Sequence, residues 1–194
     1  MSGISTATSI ALDGLHSCAL LSGGTIKCWG WNYHGQLGDG TTIERTIPVE
    51  VSNITTATSI ALGGEHSCAL LTGGAIKCWG WNYHGQLGAV VYTGDVATTD
   101  STTPVEVSGI STATSIALGY HHSCALLTSG AIKCWGSNSN GRLGDGTTTD
   151  STYPVDVIGL YAPPPSPPSV FSATTSFSLI ISLFAAFALN ALFA

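Results

Sequence analysis

One pattern occurs three times in this chain. ISTATSIALDG at residues 4–14 returns as ITTATSIALGG at 54–64 and as ISTATSIALGY at 110–120, each followed at the same distance by HSCALL, a Gly-containing turn and IKCWG. The copies are offset by 50 and then 56 residues, and the six extra residues all fall between Gly88 and Pro104. A repeat of this length that absorbs an insertion at one point is a supersecondary unit with a loop at that point, stacked against its copies.

Each unit parses into four short strands. In the first unit these are TSIAL (8–12), HSCALL (16–21), TIKCWG (25–30) and, after a Gly-rich loop, PVEV (48–51), whose Pro suits the start of an edge strand. No stretch before the last eighteen residues has a sustained helical period, and 24 of the 194 residues are Gly. The expected fold is therefore all-β, a partial β-propeller of three four-stranded blades, with a hydrophobic helix at the C-terminus. The blades are expected at about 4–53, 54–109 and 110–158 within a repeat region spanning 1–160.

The central hairpin of each unit accounts for the cysteines. With Ser22, Gly23 and Gly24 as a three-residue loop, Leu20 faces Ile26, Ala19 faces Lys27 and Cys18 faces Cys28. The third loop position is Gly in every unit (Gly24, Gly74, Gly130), as required where a type I turn ends in a left-handed residue. Ser129 at the middle position of the third loop is compatible with that geometry. Directly opposed residues lie within disulfide range, so the spacing predicts Cys18–Cys28, Cys68–Cys78 and Cys124–Cys134 and an oxidising compartment. Reduced thiols in a cytosolic core are the alternative. Zinc is disfavoured, because its sites use CxxC-like spacing with a second ligand pair.

Charge narrows the function classes. Acidic residues number 11 against 5 basic ones, for a formal net charge of −6, and Lys27, Arg45, Lys77, Lys133 and Arg142 lie far apart. Phosphate backbones need clustered cations, so nucleic acid is not an expected partner. His16, His66 and His122 recur beside Gly turns and read as hydrogen-bonded structural residues. His34 and His84 recur in WNYHG, which is replaced by SNSNG in the third unit. Asp39, Asp145 and Asp150 lie in DGTT-type loops without the alternating ligands of a calcium loop, and read as turn caps. No nucleophile elbow or phosphate loop is present. The chain is read as a non-enzyme with no catalytic residue, metal or cofactor.

The combination of these motifs resembles the repeats of the regulator of chromosome condensation family. The residues that carry the resemblance are His16, His66 and His122, each preceding Ser; the Trp-Gly pairs at 29–30, 79–80 and 135–136; Gly35-Gln36-Leu37-Gly38 with its copies at 85–88 and, with Arg142 for Gln, at 141–144; and the later Pro. The resemblance covers residues 4 to about 158. It implies a seven-bladed propeller, a ring that three blades cannot close. Met1 aligns with Val51 and Val107, where a preceding PVEV strand would just have ended. The chain is accordingly expected to be the C-terminal part of a longer protein, or to cover its open faces by self-association.

After the repeats the composition changes. Residues 161–176 form a Pro/Ser-rich linker containing APPPSPPS, an extended spacer without core-forming capacity. Residues 177–194, FSLIISLFAAFALNALFA, carry no charge and no basic flank follows them. They read either as a glycosylphosphatidylinositol attachment signal, with Ser172-Ala173-Thr174 as candidate site, or as a retained single span.

Binding sites are expected in the loops, where a rigid scaffold presents recognition residues. Trp31, Tyr33, Trp81 and Tyr83 lie just beyond the Trp-Gly strand, and the insertion adds Tyr92 beside the second pair. Trp31 and Trp81 either join this surface or pack between blades. The functional expectation is a cell-surface, membrane-tethered interaction module, with protein or glycan at the blade loops and the membrane at the tail. The alternative implied by the resemblance is guanine-nucleotide exchange or chromatin association, as in the family's namesake.

Overall fold

The computed structural model of the chain describes residues 6–93, 96–97 and 99–160; the side chains of residues 92–98 lie outside that description. So do the linker, the hydrophobic tail with its expected helix, and the opening Met. Among the described residues no helix is long and apolar enough to cross a membrane.

Three four-stranded antiparallel sheets follow one another in sequence. The first blade comprises β1 (Ala7–Leu12), β2 (His16–Leu21), β3 (Ile26–Gly30) and β4 (Arg45–Glu50). The second comprises β5 (Ala57–Leu62), β6 (His66–Leu71) and β7 (Ile76–Gly80), and, after a small hairpin of β8 (Tyr92–Thr93) and β9 (Val96–Ala97), β10 (Ser101–Glu106). The third comprises β11 (Ala113–Leu118), β12 (His122–Leu127), β13 (Ile132–Gly136) and β14 (Ser151–Asp156). The β8–β9 hairpin lies in the inserted segment and was not foreseen.

The central hairpins have the register read from the loop length. Cys18 is opposite Cys28, Ala19 opposite Lys27 and Leu20 opposite Ile26, and the other two blades repeat this. Gly24, Gly74 and Gly130 have φ of 78°, 89° and 83°. In the second blade Gly73 is also left-handed, at φ 92°, so that turn departs from the type I geometry expected for all three. All three disulfides are formed, with Cα–Cα separations of 4.1 Å.

The outer strands differ from expectation. β4 begins at Arg45, three residues before Pro48, and runs to Glu50. Its pairing steps from Cys28↔Val49 to Gly30↔Arg45, so Pro48 sits in an irregularity of the ladder rather than at the strand's first residue. Pro104 and Pro154 occupy the same position in β10 and β14. A residue without an N–H is accommodated where the ladder is already interrupted.

The core lies between the blades, not within them. Cys18, Leu20, Ile26, Leu37 and Val51 of the first blade pack against Ile54, Ala57, Ile60 and Trp79 of the second. Cys68, Leu70, Ile76, Leu87 and Val107 of the second pack in the same way against Ile110, Ala113, Ala125 and Trp135 of the third. One face of the first and second blades thus gives its disulfide and aliphatic residues, and the blade that follows gives its Trp. A Cβ on Gly38, whose φ is 70°, would stand 2.8 Å from Trp79 Nε1, so this close approach requires Gly.

Candidate functional site

A polar seam runs beside each apolar interface. The Ser67 hydroxyl donates to the Gln36 carbonyl oxygen at 2.8 Å, and His16 Nε2 lies 2.7 Å from the same hydroxyl. The hydroxyl proton is committed to Gln36, so His16 Nε2 must carry a hydrogen and donate. Trp79 Nε1 donates to that carbonyl as well, at 2.8 Å. Gln86, Ser123, His66 and Trp135 repeat the arrangement between the second and third blades, at 2.8–3.0 Å. His16 and His66 are therefore hydrogen-bonded as expected, but to the neighbouring blade.

This seam sets the direction of the loops that follow β3, β7 and β13. Asn32 is buried; its Oδ1 accepts from the Leu37 N–H at 2.9 Å and its Nδ2 donates to the carbonyls of Thr41 and Ile43 at 3.0 Å. Asn82 and Asn138 accept from Leu87 and Leu143 in the same way. With Asn turned inward, the residues on either side of it, Trp31 and Tyr33, project outward. Their rings are near-parallel, with centroids 6.0 Å apart and 12° between planes. Trp81 and Tyr83 match them at 6.0 Å and 10°.

The two pairs join into one row. His34 stands edge-on to Trp31 at 5.6 Å and lies 5.8 Å from Trp81, bridging the first and second blades. Trp81 contacts His84 at 5.4 Å and His121 at 4.7 Å; His84 and His121 stack at 5.3 Å, and Tyr120 adjoins His121 at 4.5 Å. Tyr33, Tyr83 and Tyr120 are 70%, 74% and 60% exposed, while both Trp are half-buried. The Trp side chains enclosed between blades are instead Trp79 and Trp135. The structure thus brings Trp31, Tyr33, Trp81 and Tyr83 together. Tyr92 lies in β8 with its side chain outside the described residues.

Carboxylates hold the row in place. Asp100 Oδ2 is 2.6 Å from His34 Nδ1 and Asp150 Oδ2 is 2.7 Å from His84 Nδ1, each pair linking one blade to the next. The second oxygens accept the N–H of Asn82 at 3.0 Å and of Asn138 at 2.6 Å. Burial acts to raise the Asp150 carboxyl, but the Asn138 N–H and His84 outweigh it and keep it below the usual carboxylate range. Burial, with His84 and Arg142 nearby, pushes the His121 imidazole down. Asp39 and Asp145 cap their loops as expected, accepting from Thr41 and Thr147. Asp150 does more, because it spans two blades.

Sequence reasoning missed His34, His84, Tyr120 and His121 as members of this surface. The WNYH string was visible twice, but the third blade has Ser137-Asn138-Ser139-Asn140 there and takes its rings from the β11–β12 turn instead. That turn, with the β1–β2 and β5–β6 turns, borders a hollow of about 350 Å³ whose walls include Asp13, Leu62, Leu118 and Tyr120. Among the described residues no cluster of His, Cys, Asp or Glu is arranged to hold a metal ion.

The fold is shared with solved propellers. Human WBSCR16 superposes with a TM-score of 0.66 at 24% identity over 78% of this chain and 39% of its own. Yeast RCC1 (Prp20), solved bound to Kap60, gives 0.67 at 23% over 78% and 37%. Prp20p from Saccharomyces cerevisiae, described with its binding properties to Gsp1p and histones, gives 0.67 at 23% over 78% and 38%. The chain therefore spans under two-fifths of the length of these proteins. The regulator of chromosome condensation (RCC1) repeat matches residues 24–70, 74–126 and 129–169, and a second form of the same repeat matches 8–36, 57–86 and 113–142. The first window runs from β3 of one blade to β6 of the next, the stretch that contains the Asn-anchored loop, the Gln36 carbonyl and the Ser67 hydroxyl of the first seam. Those windows and the sheet architecture lead to one assignment: this chain belongs to the regulator of chromosome condensation (RCC1) repeat family.

Proposed function

We propose that the chain is a disulfide-braced interaction module that binds protein through the aromatic row, on the outer side of a membrane to which its C-terminal segment tethers it. The observation that carries the reading is the continuous row of Trp, Tyr and His rings across all three blades, exposed at the Tyr positions and fixed by the His34–Asp100 and His84–Asp150 bridges. Large rigid rings bury much area at low entropic cost, which suits them to anchor a partner. The expected contacts are Trp31, Tyr33, Trp81, Tyr83 and Tyr92.

Prp20p binds Gsp1p and histones, and yeast RCC1 binds Kap60, which supports protein as the ligand class here. Three disulfides support an oxidising location. The tether is read from the uncharged residues 177–194. Self-association would use Ile10 and Leu12 of the first blade and Leu126 of the third, all exposed.

A displayed protein library selected on the full chain tests the binding surface. Selected binders should lose at least tenfold in affinity for Tyr33→Ala/Tyr83→Ala; binders indifferent to that change would place recognition elsewhere. Impermeant labelling of intact cells tests the location, and six free thiols on the native protein would end the extracellular reading.

A further inference from the structure

The charges of this molecule are sorted by end. All three lysines face an acid across adjacent strands near the β2–β3 type turns: Lys27 is opposite Glu50, Lys77 opposite Glu106, and Lys133 opposite Asp156 with 2.7 Å between Nζ and Oδ1. Those charges cancel. The other eight acids all fall, in sequence, in the segments joining β1 to β2, β3 to β4, β5 to β6, β7 to β10 and β13 to β14; of the two arginines, Arg142 lies in the last of these and Arg45 opens β4. An antiparallel meander puts those connections at the end opposite the β2–β3 turn. Among the described residues, seven acids against two arginines, a net formal charge of −5, therefore sit on the end that carries the aromatic row.

Local pairing leaves much of it uncompensated. Arg45 is spent on Asp39, at 2.8 Å. Arg142 donates to Ser139 at 3.2 Å and also acts on Asp150, so it offsets charge only at the third-blade end of the row. Asp100 and Asp150 flank the rings with 38% and 40% of their side chains exposed, and Glu65 is half-buried on the residue whose carbonyl accepts the Trp81 N–H. Exposed ring faces beside partly exposed carboxylates, in a region where acids outnumber arginines, attract cations twice over, through the ring quadrupole and through the surrounding field.

We propose that the aromatic end recognises a basic, arginine-rich segment of a partner protein, and this inference rests on the aromatic row being the protein-binding surface. Guanidinium planes lie over Tyr33 and Tyr83 and against the half-buried Trp31 and Trp81, while Glu65, Asp100 and Asp150 receive their N–H groups. Arginine is favoured over lysine because its planar head stacks on rings and is more weakly hydrated. The hollow at the three turns, with Asp13 and Tyr120 in its wall, continues the same surface.

The test titrates the disulfide-intact full chain with octa-arginine, octa-lysine, octa-glutamate and an uncharged Gly/Ser octamer, followed by calorimetry and tryptophan emission. Octa-arginine should bind most tightly, octa-lysine more weakly and the other two not measurably. Tyr33→Ala/Tyr83→Ala should weaken octa-arginine at least tenfold without moving the unfolding midpoint, since both rings are exposed. Glu65→Gln should weaken it about threefold, and Glu106→Gln, at the other end, should have no effect. Binding that ignores the tyrosines, or that falls equally with Glu106→Gln, would mean diffuse attraction and overturn the proposal. Absence of octa-arginine binding, while library-selected neutral or acidic ligands still require the tyrosines, would overturn the partner's charge and leave the protein-binding reading standing. Absence of both kinds of binding would overturn both.

Discussion

His66 shows what a single buried ring contributes to this fold. Its Nε2–H is committed to the Ser123 hydroxyl, and its Nδ1 is buried with no partner, so a second proton would place a cation in a dry site. Burial, reinforced by His16, His121 and His122, lowers its pKa from 6.5 to about 3. The unfolded chain therefore binds a proton that the folded chain refuses. Stability is complete above about pH 6.5 and falls as the pH drops toward 3, by about 2 kcal/mol at pH 5 for this residue alone. His121 and His122, also lowered mainly by burial, act in the same direction. Asp13, Asp39 and Asp150 lie below the usual carboxylate range, so their contribution is kept until the pH falls below about 4 and does not blur the window. Urea midpoints from pH 7.5 to 4.5 should decline, and His66→Gln, whose amide can still donate to Ser123, should remove the largest part of the decline. An unchanged slope in that variant would show that His66 is not its source. The recurrence of these histidines marked them as structural from sequence, but their partners were out of reach, because Ser67 and Ser123 lie more than fifty positions away across a blade boundary.

At the scale of the element, legibility depended on how local the rule was. The β2–β3 hairpin is closed by a three-residue loop, and a loop length with a left-handed Gly fixes which residues face each other, so Cys18 and Cys28 could be paired before any fold was known. β4 was harder, because its ladder skips across Trp29 and its Pro lies inside the skip; nothing within five residues of Pro48 reports that. The aromatic row was half legible. The WNYH repeats disclose Trp31, Tyr33, Trp81 and Tyr83, whereas Tyr120 and His121 reach the row from another turn, which only the packing of adjacent blades reveals. The hairpin disulfides allow a direct test. Cys68 and Cys78 are fully buried, and the bond between them closes a loop with a sequence separation of 10, which in the chain-entropy model contributes about 3 kcal/mol. Cys68→Ala/Cys78→Ala should lower stability by about that amount with the hairpin hydrogen bonds retained, read by urea unfolding and amide exchange. If reducing agent shifts the midpoint of the parent chain no further than that of the variant, the bond is not formed in solution.

In the molecule as a whole, stability follows from the blades having no core of their own. Both apolar clusters straddle two blades, so each blade is held by its neighbours, and among the described residues the second alone has an interface on both sides. Exposure along the equivalent strands follows that position: five of the six β6 residues are buried, against four in β2 and two in β12. In stacked repeats the free energy is close to a sum of unit and interface terms, so protection should be graded rather than uniform. Amide exchange followed by mass spectrometry should find β6 and β7 slowest, with β1 and β14 fastest. Trp79 belongs to the first interface and donates to Gln36, while Trp135 belongs to the second and donates to Gln86. Trp79→Ala should therefore cost about 3–5 kcal/mol, with protection lost first in β1–β4 and kept in β11–β13, and Trp135→Ala should show the reverse. Equal loss across all three blades in both variants would mean that the sheets unfold as one unit and that the interfaces do not act separately.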